Sequence, residues 1–481
     1  MVTVVALEVF NVDAGFTFDE TERLLGAESG KAPFPIRAVP SFHVLKGMSH
    51  VFAKNTRPKS EMEAEALYGL SEERETVDHF ISHSWSASRI WKWAAMTDYY
   101  HRYHAILIAT FVFGVMSLLG FLLRSHSGQV FCFTMAFCIW TLVPTLATVA
   151  VVAVGHSILP GSGSMVFLDR LCIHQWDEEL KQQGVRSLGD VLRKSQSMMV
   201  LWSEDYMERL WCIFEIATFS AHKRPRDMVF IPLWMPLFLY TVLTGCALML
   251  FLATLLQELE FGVAFLFPLM DLFYVQFGRT WSARFFLAHG IPAVPLCYVI
   301  RTAVMQKTAM LTWVANFALD RTKLTVEDDR DFIYDHIHRL FGSTERFEEF
   351  VRLDVLKSLH QVIGQAWEVP YAWGVFVFQP YLWFVTTDSM STTQAELDSY
   401  GVKDWQHYFF LNFLWFGPFY LAMPLALKLV AVSANLTLRW PFALGLMVDV
   451  FVFLSMVLTL AVLCWQPVLP FILSPGAFFW R

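Results

Sequence analysis

Charge is what this sequence has least of. Only 16% of its 481 residues are Asp, Glu, Lys or Arg, against roughly 25% in an ordinary soluble chain. Hydrophobic residues make up 56%, including 45 Phe and 18 Trp. That balance excludes a wholly soluble protein. A basic tract is missing too: 36 basic and 43 acidic residues are spread along the chain, for a net charge of -7. Clustered Lys and Arg are what grip a phosphate backbone, so nucleic acid is not an expected partner.

Cysteine is scarce and scattered. Of the seven, Cys132, Cys138, Cys246, Cys297 and Cys464 lie in apolar stretches, and only Cys172 and Cys212 fall in polar sequence. With no CxxC pair, neither a disulfide framework nor a cysteine metal site is expected. The N-terminus lacks a basic n-region, and Met1 to Phe10 leads straight into Asp13, Asp19, Glu20 and Glu22. A cleaved signal peptide is not expected.

What the chain does have is long charge-free windows of the length that crosses a hydrocarbon core, about 18 residues or more. Residues 1–65 read as a cytosolic segment, with Pro33, Pro35 and Pro40 near a surface loop and a solvated acidic helix beginning at Glu61. Two apolar runs, Ala105 to Leu123 and Gln129 to Val154, are separated only by a short polar break at Arg124 to Gly128. A break that short makes them an antiparallel transmembrane hairpin (105–154), whose flanking sequences share one compartment. The basic cluster His222, Lys223, Arg224, Arg226 precedes the next apolar run, and Lys92 and Arg102 precede the first, which marks that compartment as cytosolic.

Further spans are expected within 228–305 and 369–481, for seven or eight in all. Phe261 to Gly278 contains Asp271, and Phe285 to Ile300 is short and broken by Pro292 and Pro295. The basic residues of 306–368 place that segment in the cytosol, so that one of these two runs is not a full crossing. Phe332, Ile333, Ile337, Leu340 and Phe341 recur at helical spacing, which predicts amphipathic helix packing under the membrane domain. Later spans are predicted over Val369 to Thr387, over Tyr408 to Leu427, and within Pro441 to Trp465.

The polar pieces on either side of the hairpin, 66–104 and 156–233, alternate short apolar strands with helical stretches. Strands are predicted at His79 to Ser82, Met165 to Asp169, Ser197 to Trp202 and Met228 to Leu233. Helices are predicted at Ser88 to Tyr99, Val185 to Lys194 and Tyr206 to Phe219. That rhythm predicts a parallel α/β sheet, whose ligands bind at the carboxyl ends of the strands. Here those ends are Ser82 to Trp85, Asp169 to Cys172 and Trp202 to Asp205.

In order, FISHSW, VFLD with the polar loop RLCIHQWDEELKQQG, and SMMVLWSEDYMERLWCIFE resemble a TIR (Toll/interleukin-1 receptor type) domain, in a variant common among protist membrane proteins. The resemblance implies a TIR or flavodoxin-like α/β parallel-sheet domain in the cytosol, joined to a multi-pass α-helical membrane domain. It makes the loop from Arg170 to Gly184 the so-called BB loop, and it matches Trp211, Cys212 and Glu215 to the W-C-x-x-E helix motif. Two departures stand out: the inserted hairpin, and a later strand and helix that are missing because MVFIPL runs directly into membrane.

Some TIR domains cleave NAD and others assemble with one another. The first activity makes NAD a substrate rather than a cofactor and Glu215 its catalytic carboxylate, with Asp169, Trp202, Ser203 and Trp211 at the ligand. The second works through the loop residues Arg170, Cys172, His174 and Gln175, with itself or other TIR-like domains as partner. The bland alternatives are that Glu215 pairs with Arg209, that Asp169 caps a turn, that Trp202 and Trp211 are packing and that Cys212 is a buried structural thiol. His79 and His83, four apart in a strand, and His336 and His338 lack further ligands, so no metal is expected. A third reading rests on Asp271 and Asp449 in apolar sequence, the signature of a channel or transporter unless Lys428 or His289 pairs with them.

Overall fold

The computed structural model describes residues 35–465, apart from 54–57, 129, 132, 159–162, 259–278, 324–328, 366–367 and 400–401. Its α/β part is built on a six-stranded sheet with the order β2-β1-β4-β3-β5-β6. The strands are β1 (Arg37–Pro40), β2 (Glu72–Glu73), β3 (Val77–His83), β4 (Met165–Phe167), β5 (Ser195–Trp202) and β6 (Met228–Pro232). β4, β3, β5 and β6 are mutually parallel. Their near-continuous apolar runs, such as Met198 to Trp202, are what strands covered on both faces require.

Among the parallel strands, the first in sequence pairs with both the second and the third, giving the order 2-1-3-4. In open α/β sheets of this order the switch point lies between the first and third strands, and ligands sit at its carboxyl side. Here that point lies between the ends of β3 and β5.

β1 corrects the expectation of a surface loop around Pro40. It pairs antiparallel with β4 through Val39 and Val166 and carries β2 on its other side. Pro40 ends the strand opposite Met165. The polar stretch expected to be a loop at 170–184 is instead largely helical, with turns at Asp169–Cys172 and Glu178–Arg186. Asp177 caps the second turn by accepting a bond from the Leu180 amide at 2.9 Å.

Residues 306–368 also lie elsewhere than expected. Their apolar side chains Phe317, Ile333, Ile337, Phe347, Val351 and Leu359 belong to the same core as the sheet. Helix Asp329–Phe341 packs on helix Leu210–Ser220, and Leu356–Ile363 packs on β6. The chain at Lys323 even forms a short parallel bridge to Arg209, so this segment completes the α/β unit on the side where MVFIPL leaves it.

The predicted first helix and first span are one element, Arg89–Ser127. Among the described residues three helices are long and apolar enough to cross a membrane: Arg89–Ser127, Met135–Ile158 and Trp405–Leu436. The first two lie side by side, and Gly120 permits this, since a Cβ there would meet the Trp140 ring at 2.3 Å. On the outer face, Leu107, Phe111, Val115, Leu119 and Leu123 recur every fourth residue and are exposed. The predicted span Val369 to Thr387 is broken into Tyr371–Val377 and Gln379–Ser391, with Pro380 in the first turn of the second helix. Proline suits that position, and it biases the residue before it away from helix.

Asp449 is fully buried and pairs with Arg301 at 3.0 Å. Ser433 donates to its other oxygen at 2.6 Å. Arg301 also donates to the Thr437 hydroxyl and carbonyl, each at 2.8 Å. Asp271 lies outside the described residues.

Candidate functional site

Three segments converge on the switch point: the end of β3 with its serine-rich loop, the end of β5 with the turn at Ser203 to Asp205, and helix Leu210–Ser220. Successive residues of a strand alternate faces, so Ser82 turns toward the helix. There its hydroxyl is hydrogen-bonded to the Tyr206 hydroxyl at 2.5 Å and donates to Glu215 Oε2. Cys212 and Glu215, three apart, share the helix face toward β3, and the Cys212 thiol donates to the His83 carbonyl at 3.6 Å. Glu215 keeps a solvent-facing edge but is otherwise enclosed. Burial pushes its carboxyl up to about 8, opposed by the Ser82 bond and reinforced by Asp169. It therefore carries a proton at neutral pH until a cationic ligand arrives.

Asp205 is the opposite case. Burial disfavours its charge, but bonds from Ser86, Ser84, Ser203 and Arg209 outweigh this and hold it well below the usual carboxylate range. Ser84 and Ser203 each donate to it at 2.7 Å. Arg209 pairs with Asp205 at 3.1 Å rather than with Glu215, which removes the ion-pair alternative for the glutamate. Two carboxyl groups near one sheet edge, one neutral and one ionised, are a division used between proton handling and charge stabilisation.

Asp169 faces the same edge from β4. It accepts from the Trp85 indole at 3.2 Å, and from the Arg170 amide at 2.7 Å, so it also caps its own turn. Burial raises its carboxyl above the usual value. Ser203 is at the rim through its bond to Asp205.

The two predicted tryptophans are not brought to this edge. Trp202 is buried against Tyr206 and Phe230, with ring centroids at 5.2 and 5.9 Å. Trp211 points away and donates to Asp329 at 3.1 Å, which ties the site helix to Asp329–Phe341. Burial raises the Cys212 and Cys172 thiols, Cys172 to about 12, so neither is a thiolate at neutral pH.

The loop residues expected at an assembly surface are mostly inside. Arg170, Cys172 and His174 are buried. His174 packs on Tyr68, and Gln175 folds back to bond the Asp169 and Ile173 carbonyls. Trp176 is the large apolar side chain this segment leaves exposed. Among the described residues no group of three or more His, Cys, Asp or Glu is placed to hold a metal.

Sequence reasoning located the strand ends, Ser82 and Asp205 among them, but gave these two no role and missed Tyr206 and the burial of Lys92. Alternating Ser82, Ser84 and Ser86 at a strand end was a usable signal. So was Lys92, a charge between Trp91 and Trp93 on an otherwise apolar turn. Comparison of the chain with protein-family models, with curated proteins and with solved structures finds no match.

Proposed function

We propose that this is a multi-pass membrane protein that presents a TIR-like α/β domain to the cytosol for signalling, and that the domain cleaves NAD at Glu215. The observation that carries the reading is the place of the glutamate in the W-C-x-x-E motif: at the switch point of a 2-1-3-4 sheet, bonded to Ser82 and enclosed. The reaction breaks the bond between nicotinamide N1 and ribose C1′, and the bonding pair leaves with nicotinamide. Water adds at C1′ and loses a proton, giving an ADP-ribose product. The positive charge moves from the pyridinium to an oxocarbenium-like ribose, which an adjacent carboxylate stabilises. A bound pyridinium draws the Glu215 proton off, because opposite charge nearby favours the ionised form.

The membrane reading is supported by the lipid-suited stripe on Arg89–Ser127 and by pairings at both ends of the helices. At one end Tyr240 donates to Asp98 at 2.7 Å and Arg301 holds Thr437. At the other, Arg124 of the hairpin tip donates to the Ser389 and Thr392 carbonyls. Counting the broken helix 371–391 as one crossing, we infer seven crossings among the described helices.

Homotypic assembly is the second reading. The exposed Trp176 favours it, as an aromatic anchor outside the core. The transporter alternative loses support at Asp449, whose oxygens are taken by Arg301 and Ser433. The test is nicotinamide release by the full-length protein in nanodiscs, wild type against Glu215→Ala. Equal release by both would remove Glu215 from the chemistry.

A further inference from the structure

Beside the glutamate site lies a second cluster that its chemistry does not use. Lys92, in the first turn of Arg89–Ser127 and well before the apolar part of that helix, is fully buried, and its amine has no hydrogen-bond partner among the described residues. The neighbours of the amine are two ring faces, Phe52 with its centroid at 5.0 Å and Trp85 at 5.4 Å. His83 Nε2 is likewise buried without a partner, its ring 4.8 Å from Phe52 and 4.5 Å from Trp85. The Arg170 guanidinium lies over the same indole at 4.0 Å. Buried amine and imidazole groups without partners are rare because each costs the desolvation of an unmet polar atom. Asp169 spends its oxygens on Trp85 and its own turn and does not bond to the amine.

Phe52 closes this cluster, being 1% exposed. The chain reaches it through three successive left-handed residues, Gly47, Met48 and Ser49, with φ of 61°, 52° and 51°. Two of them carry side chains, for which that conformation is unfavourable. What latches the segment is Arg170, which donates to the Val51 and Ala53 carbonyls at 2.8 Å each.

We propose that Lys92 and His83 form the seat of an anionic, phosphate-class group of a ligand at the carboxyl edge of β3 and β4, and that Phe52 is the plug which leaves when the ligand enters. An unpartnered amine, an imidazole nitrogen able to take the proton of a hydrogen phosphate, a basic neighbour and a strained strap latched by Arg170 are what such a closed seat needs. The amine stays unpaired because its partner is not part of the chain. The seat requires no chemistry from Glu215, so it stands or falls apart from NAD cleavage.

The test is calorimetric titration of the full-length protein in nanodiscs with inorganic pyrophosphate, which has no glycosidic bond to cleave. Phe52→Ala should bind it at least tenfold more tightly than wild type, and Phe52→Ala/Lys92→Met should lose at least tenfold of that. Phe52→Leu, which leaves a smaller gap, should tighten binding at least threefold if the alanine variant does not fold. Lys92→Met alone should melt no lower than wild type, because it removes a buried charge that the fold leaves unpaired. Unchanged affinity on opening the plug, a double variant that binds like Phe52→Ala, or a Lys92→Met protein that melts several degrees lower would each overturn the proposal.

Discussion

Replacing Glu215 by Gln should stabilise the protein, and by an amount that depends on pH. The carboxyl is held at about 8 in the folded protein, chiefly by burial, against 4.5 for the ordinary group. Between those values the folded state keeps a proton that the unfolded state has released, so stability falls as pH rises from below 4.5 through 8. At roughly 1.4 kcal/mol per tenfold change in proton affinity, the ceiling is about 5 kcal/mol. The solvent-facing edge of the glutamate reduces this to about 2 kcal/mol. Glutamine has the same shape, still meets Ser82 and does not ionise. At pH 8 the variant should therefore melt about 4–8 °C higher, taking about 2–4 °C per kcal/mol for a domain of this size. At pH 4 the two proteins should melt together. The assay is thermal unfolding in nanodiscs at both values. A variant that melts lower at pH 8, or a difference that does not change with pH, would refute the reasoning.

Asp449→Ala leaves Arg301 buried and unpaired, and should cost about 3–5 kcal/mol, read as a loss of folded material by size exclusion after mild heating. Arg301→Met/Asp449→Leu should recover most of it; failure to recover would give the pair a role beyond pinning helices. Gly120→Val drives a side chain into Trp140 and should destabilise by about 1–3 kcal/mol, whereas Gly114→Val, in open space, should not. In the seven-crossing arrangement Asn435 lies on the sheet side, so its sequon should stay unmodified on expression in a glycosylating host. A glycan there, seen as an endoglycosidase-sensitive mass, would invert the topology.

The parallel core was legible because its strands are short apolar runs with turn chemistry between them. Local pattern could not reveal what depends on distant partners. Arg37–Pro40 is a four-residue strand that exists only because β4 offers it an edge. The helical periodicity of 329–341 was visible, but its target, the helix carrying Glu215, lies more than a hundred residues earlier. Trp202 and Trp211 each read equally well as ring-binding walls or as packing, and tertiary placement decided for packing. The polarity of 170–184 suggested a loop, yet Arg170 and His174 are polar residues that the fold buries against Trp85 and Tyr68. Asp449 was noticed as a charge out of place. Its partner, Arg301, sits on a helix whose prolines obscured it.

The most direct test of the account is the pH profile of nicotinamide release by the full-length protein in nanodiscs, wild type against Glu215→Ala. Release, read as kcat/KM, should rise with pH through a midpoint near 8, as the glutamate of the free enzyme ionises, and vanish without its carboxyl. No release from wild type at any pH, or release indifferent to Glu215, would contradict the central claim and leave the α/β domain as an assembly module.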